Sequence, residues 1–79
     1  VSIMRDRLSE LLAERFGVPP EEIHDEVTLT ELDLDSLALV EFGLAIEQVF
    51  GIKVAEDDMS TSDTVDDVLR MLESKGCPA

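Results

Sequence analysis

From Ser2 to Phe16 apolar residues recur at three-to-four spacing, at Ile3, Leu8, Leu11, Leu12 and Phe16, with Arg5, Asp6, Glu10 and Glu14 on the other side. The pattern predicts an amphipathic first helix. Gly17 suits the left-handed turn that closes a helix, and Pro19 and Pro20 prevent its continuation. Residues 18 to 34 sustain no period. Ile23, Val27, Leu29, Leu32 and Leu34 are nevertheless spaced through them, which predicts a long loop lying over the core, with a short turn at Glu31 to Asp33.

A second helix is expected from Asp35 or Ser36, both capping types, to Phe50 before Gly51. It carries two apolar stripes. Leu39, Phe42, Ile46, Val49 and Phe50 form one, and Leu37, Val40 and Leu44 form another beside Glu41, Glu47 and Gln48. One stripe is core and the other needs a reason to be apolar. Ile52 and Val54 alternate with Lys53, but no strand-like partner segment exists, so this stretch is read as loop. Glu56 to Met59 predicts one marginal helical turn with its carboxylates at the favourable end. A last helix from Thr64 to Ser74 opens on a capping pair, Thr64 with Asp67, and buries Val65, Val68, Leu69 and Leu72 before Gly76 and Pro78. The fold class is all-α: a small antiparallel bundle of three main helices plus one short one, with a long loop between the first and second. One domain covers residues 1 to 79.

Composition narrows the function. In 79 residues, 44% hydrophobic content supplies a core, yet a chain of roughly 80 residues holds only a few kcal/mol of net stability, which disfavours an elaborate enzyme. Nineteen acidic against six basic side chains give a net charge of -13. Such a chain lacks the basic face that nucleic acid or an anionic bilayer needs, and its field instead favours electropositive protein partners. No apolar run is long enough to span a bilayer and no leader pattern is present. The single Cys77, an incidental thiol near a polar terminus, fits a reducing cytoplasm.

Ser36, at the start of the second helix, admits three readings. It is a helix cap, a nucleophile, or a hydroxyl that another enzyme modifies. A nucleophile needs a base, and the only histidine, His24, sits in an acidic loop with no identifiable orienting group; with Asp25 it reads as a surface or loop-anchoring pair. A modified serine is chemically apt, because free amides and the helix dipole favour an attached phosphate there.

The run Leu32-Asp33-Leu34-Asp35-Ser36-Leu37, followed by Val40, Glu41 and Phe42, resembles the acyl carrier proteins. So do the length, the acidity, the long loop before the serine, Glu47 with Phe50-Gly51-Ile52, the Glu56-Asp57-Asp58 run and Thr64-Val65. The resemblance implies that Ser36 carries 4'-phosphopantetheine, transferred from coenzyme A by a phosphopantetheinyl transferase in a magnesium-dependent reaction. The chain is then a non-catalytic, monomeric carrier that holds acyl groups as thioesters. Its partners are acyltransferases, ketosynthases and other pathway enzymes with basic docking patches, and no nucleic acid or membrane is among them.

The resemblance further implies a docking face of Asp35, Leu37, Val40, Glu41, Leu44 and Glu47, with Glu56 and Asp57 beside it. That accounts for the second stripe, because apolar residues ringed by carboxylates make a patch that basic partners find by steering. Leu37, Val40 and Leu44 packing as core against the loop is the alternative. Phe42, Ile46 and Leu69 are assigned to the core, where carriers of this kind shelter an acyl chain. The acidic residues from Glu56 to Asp67 are read as a solvated rim with no metal site, and the stretch from Asp33 fails as a calcium loop at Leu37, Ala38 and Leu44.

Three positions depart from the family pattern: Asp33 stands where glycine is frequent, and Ala38 and Gln48 stand where acidic residues are frequent. The last two favour polyketide-type specialised biosynthesis over fatty-acid synthesis. A peptidyl or aryl carrier and an unmodified acidic interaction module are the competing readings.

Overall fold

The computed structural model describes residues 3 to 76, so the expectations for Ser2 and Cys77 lie outside the described residues. Three α-helices make the molecule: α1 over Ile3–Phe16, α2 over Ser36–Phe50 and α3 over Val65–Ser74, with three-residue 3₁₀ turns at Pro20–Glu22 and Glu56–Asp58. The all-α bundle with its long first loop is the fold the sequence predicts. The turn at Pro20–Glu22 was not foreseen; Pro20 cannot continue α1, but its fixed φ suits the start of a new turn.

Each helix begins and ends for a local reason. The Asp35 carboxylate accepts from the Ala38 N–H at 2.8 Å and caps α2, and Gly51, at φ 68°, closes it in the left-handed conformation. At α3 the Thr64 hydroxyl accepts from the Asp67 N–H (3.1 Å) while the Asp67 carboxylate accepts from the Thr64 N–H (3.0 Å), the reciprocal box expected of this pair. The Thr64 N–H, then its hydroxyl, hold the Asp67 carboxyl below its ordinary pKa.

Burial follows the apolar periods. α1 contributes Met4, Leu8, Leu11 and Leu12, α2 contributes Phe42, Ala45 and Ile46, and α3 contributes Val65, Val68, Leu69 and Leu72. Met4 was missing from the predicted stripe, and the Ile3 side chain lies outside what is described. Phe16 of α1 meets Phe42 of α2 edge to face, with ring centroids 5.7 Å apart, a pairing that contributes about 1 kcal/mol beyond its buried area. Val49 corrects the expectation that it is core: it is exposed near the end of α2, beside a shallow surface depression that it lines with Leu11 and the charged α1 residues Arg7, Glu10, Glu14 and Arg15.

The long loop is held by backbone bonds to the segment before α3 and to the first two residues of α3. Leu29 N–H donates to the Asp63 carbonyl, Thr30 N–H to Thr61, Val65 N–H to Val27 and Asp66 N–H to Asp25, all at 2.9 to 3.1 Å, and Thr28 and Thr64 form an isolated antiparallel bridge. These bonds bring Val27, Leu29, Leu32 and Leu34 into the core and carry the chain to the start of α2. Asp25 pairs with Arg5 of α1 at 2.5 Å, so the anchor expected of His24 with Asp25 runs to Arg5, while His24 is exposed.

Candidate functional site

Ser36 is the first residue of α2 and is exposed. Because Asp35 caps the helix, the Ser36 hydroxyl is not needed for capping, and it makes no hydrogen bond among the described residues. The capping reading of Ser36 is therefore corrected: the neighbouring carboxylate, with extended backbone (φ -85°, ψ -175°), reaches the third amide instead.

Ser36 lies at one end of an apolar groove of about 360 Å³. One wall is α2, with Leu39, Val40, Gly43, Leu44 and Glu47; the other is Val54, Ala55 and Met59 from the segment after α2. That segment is fastened at both ends. The half-buried Glu47 carboxylate accepts from the Val54 N–H at 2.8 Å. The Asp58 carboxylate accepts from the Ala55 N–H at 2.7 Å and pairs with Lys75, just after α3, at 2.8 Å, so Lys75, then the Ala55 N–H, hold its carboxyl below its ordinary pKa.

The predicted docking residues separate into two groups. Leu37, Val40 and Leu44 are 69%, 56% and 55% exposed, a contiguous apolar stripe on α2, and Glu41 and Asp57 are exposed with them. Packing of this stripe as core is thus overturned. Asp35 and Glu47, in contrast, are engaged within the chain, one as cap and one as anchor of the Val54 segment. The Glu56 side chain lies outside what is described.

Phe42, Ile46 and Leu69 sit in the core as expected. None of the three lines the groove, which is formed by others. Gly43, Val54, Ala55 and Met59 were not singled out from sequence; the available signal was a glycine inside an otherwise strong helix. No helix among the described residues is long and apolar enough to cross a membrane.

An exposed hydroxyl with no hydrogen-bond partner among the described residues thus stands at the start of a capped helix, beside an apolar groove. Residues 6–72 match the family described as "Phosphopantetheine attachment site". The chain is 35% identical over 69 residues to an acyl carrier protein of Thermobifida fusca (strain YX), covering 86% of this chain and 87% of that one. It is 36% identical over 70 residues to an acyl carrier protein of Wolinella succinogenes, covering 87% and 92%. The chain belongs to the phosphopantetheine attachment site family, which bears out the resemblance read from Asp35-Ser36-Leu37 and its surroundings.

The prosthetic group that the family implies is a covalently attached 4'-phosphopantetheine. The residues fit it: the Ser36 hydroxyl is available, the α2 amides favour an anion beside it, and the groove offers apolar cover.

Proposed function

We propose that the chain is an acyl carrier whose Ser36 oxygen bears the phosphopantetheine arm. The carrying observation is the exposed Ser36 hydroxyl, released from capping by Asp35, at the end of the apolar groove. When bound, the group supplies a thiol that holds acyl chains as thioesters. A phosphopantetheinyl transferase moves the arm from coenzyme A to the serine oxygen; a phosphodiester forms and adenosine bisphosphate leaves. The chain performs no chemistry itself. Leu39, Val40, Leu44, Val54 and Met59 line the groove that covers part of the cargo.

Leu37, Val40, Leu44 and Glu41 form the face read by pathway enzymes with basic patches, such as acyltransferases and ketosynthases. Exposed apolar surface beside carboxylates supports this reading. The chain acts as one monomeric carrier domain in the cytoplasm. Neutral Ala38 and Gln48 favour partners of polyketide-type specialised biosynthesis.

The test is the intact mass before and after incubation with coenzyme A, magnesium and a broad-specificity phosphopantetheinyl transferase. Wild-type protein gains one phosphopantetheine and Ser36→Ala gains none. A folded, unmodified wild-type protein that gains nothing with several transferases would make this an acidic interaction module instead.

A further inference from the structure

A second cavity, of about 340 Å³, lies across the first turn of α2 from the groove. Ser36, Val40 and Gly43 line the groove, whereas Ala38, about 200° round the helix from Ser36, lines the second cavity. Its other walls include Phe16, Gly17 and Pro19 at and just past the end of α1, then Glu22, and Asp33 in the turn before the cap.

Hydrogen-bond acceptors without donors gather in these walls. The Arg15 and Phe16 carbonyls would take the amides of residues 19 and 20 if α1 continued, but both are proline and carry no N–H. No donor among the described residues reaches the Phe16 or Gly17 carbonyl, and the Glu22 and Asp33 carboxylates have neither a hydrogen bond nor an ion pair. Val18 and Leu32 add apolar surface.

We infer that this cavity is the resting site of the neutral, amide-bearing stretch of the prosthetic arm on Ser36. The inference rests on the carrier reading. That stretch has two amide N–H donors between short methylene links, which suits open acceptors set in apolar surface. The groove suits it less: its one carboxylate, Glu47, is already taken by the Val54 N–H. Length permits the placement. About twelve chain bonds separate the arm's phosphate from its thiol, a span of about 14 Å at the reach of an extended peptide chain. A helix is about 10–12 Å across with its side chains, and the one residue between Ser36 and Ala38, Leu37, is exposed and apolar. The phosphate stays at the α2 amides, because Glu22 and Asp33 repel it, so only the neutral part enters.

Wild type and Ala38→Leu are loaded from coenzyme A with an isotope-labelled pantetheine, checked by intact mass, and compared with their unloaded forms by nuclear magnetic resonance. In wild type the methylenes beside the arm amides show nuclear Overhauser contacts to the Phe16 ring and the Ala38 methyl. The arm amides exchange with solvent about threefold or more slower than in coenzyme A. In Ala38→Leu, whose larger side chain occupies the cavity, both signs fall by half or more. The α1 and α3 resonances stay in place there, so the loss is not a lost fold.

Contacts confined to Ser36 and Leu37, with amides exchanging as in coenzyme A, would put the arm in solvent and overturn the inference. Contacts to Val54 and Met59 would put it in the groove and overturn it too, as would contacts to Phe16 that are unchanged in Ala38→Leu. If that variant fails to fold or to load, the wild-type contacts decide alone. A wild-type protein that gains no phosphopantetheine fails at the mass measurement, and that failure belongs to the carrier reading before any position of the arm is measured.

Discussion

The Asp35 carboxylate takes the Ala38 N–H at 2.8 Å and so frees the hydroxyl next to it in sequence, that of Ser36. Two adjacent residues of capping type thus divide the work: one ends the loop and starts the helix, and the hydroxyl of the other makes no hydrogen bond among the described residues. Removing the cap costs about 1 kcal/mol. Asp35→Ala is accordingly expected to lower the melting temperature by about 4–8 °C, the shift for a domain of this size. Ser36→Ala is expected to stay within about 2 °C of wild type, since no bond to Ser36 is lost. Thermal denaturation of the two variants checks the division; a larger loss at Ser36 than at Asp35 would reverse it.

That division was only half legible in the sequence. Asp35 and Ser36 are both good caps, and the choice between them depends on backbone angles that composition does not encode. The helices were legible because apolar periods and terminators agree, as at Phe50-Gly51 and at Thr64 with Asp67. The groove was not. Its far wall comes from Val54, Ala55 and Met59, irregular chain whose position depends on side-chain anchors from Glu47, near the end of α2, and Lys75, beyond α3. Val49 failed for a related reason: its period matches the core, but the α1 residues that line the surface beside it are, apart from Leu11, charged.

Asp33 has φ 64°, the one non-glycine residue in the left-handed region among those described. Its N–H donates to the Thr30 carbonyl at 3.0 Å, which fixes the turn just ahead of the cap. Aspartate tolerates this conformation better than most residues, while a β-branched side chain does not. Glycine removes a strain of about 1 kcal/mol and loses part of the gain to its freer unfolded state. The expected order of stability is therefore Asp33→Gly at or above wild type, with Asp33→Val at least about 1 kcal/mol below. Chemical denaturation of the three proteins measures it, and a Val variant as stable as wild type would show that the turn relaxes freely.

Asp58 joins the groove wall to α3 through Lys75, and that pairing, with the Ala55 N–H, holds its carboxyl below the ordinary aspartate value. A carboxyl with a folded pKa below its unfolded one stabilises fully above the unfolded value, near 4, and loses that contribution as pH falls through the folded value. Asp58→Asn removes the charge at every pH. Its melting temperature is expected to lie below wild type at pH 7 and to converge with it only as pH falls through the lowered folded-state pKa, where the native aspartate is also protonated. A gap that persists unchanged in acid would mean that the side chain contributes by shape or neutral hydrogen bonding rather than by charge.

Salt is expected to act in opposite directions on the fold and on its docking. Fifteen carboxylates lie between Glu21 and Asp67 with Lys53 as their only basic neighbour in that span, and the net charge is -13. The molecule measures 29 × 27 × 20 Å. At 0.01 M salt the screening length is about 30 Å, so every carboxylate acts on every other; at 1 M it is about 3 Å and only contacts survive. The surface pairs that screening weakens, such as Arg70 with Asp66, contribute about 0–1 kcal/mol each, so relief of repulsion dominates and the melting temperature rises with sodium chloride. The proposed docking through the exposed Leu37, Val40 and Leu44 would depend on the same field for steering, so the rate of phosphopantetheine transfer is expected to fall over the same range. Val40→Asp, at an exposed position, leaves the melting temperature within about 3 °C of wild type and lowers kcat/KM of the transferase, mainly through KM. Transfer kinetics insensitive to both salt and Val40→Asp would remove this α2 face from the docking surface while leaving the electrostatic account of stability in place.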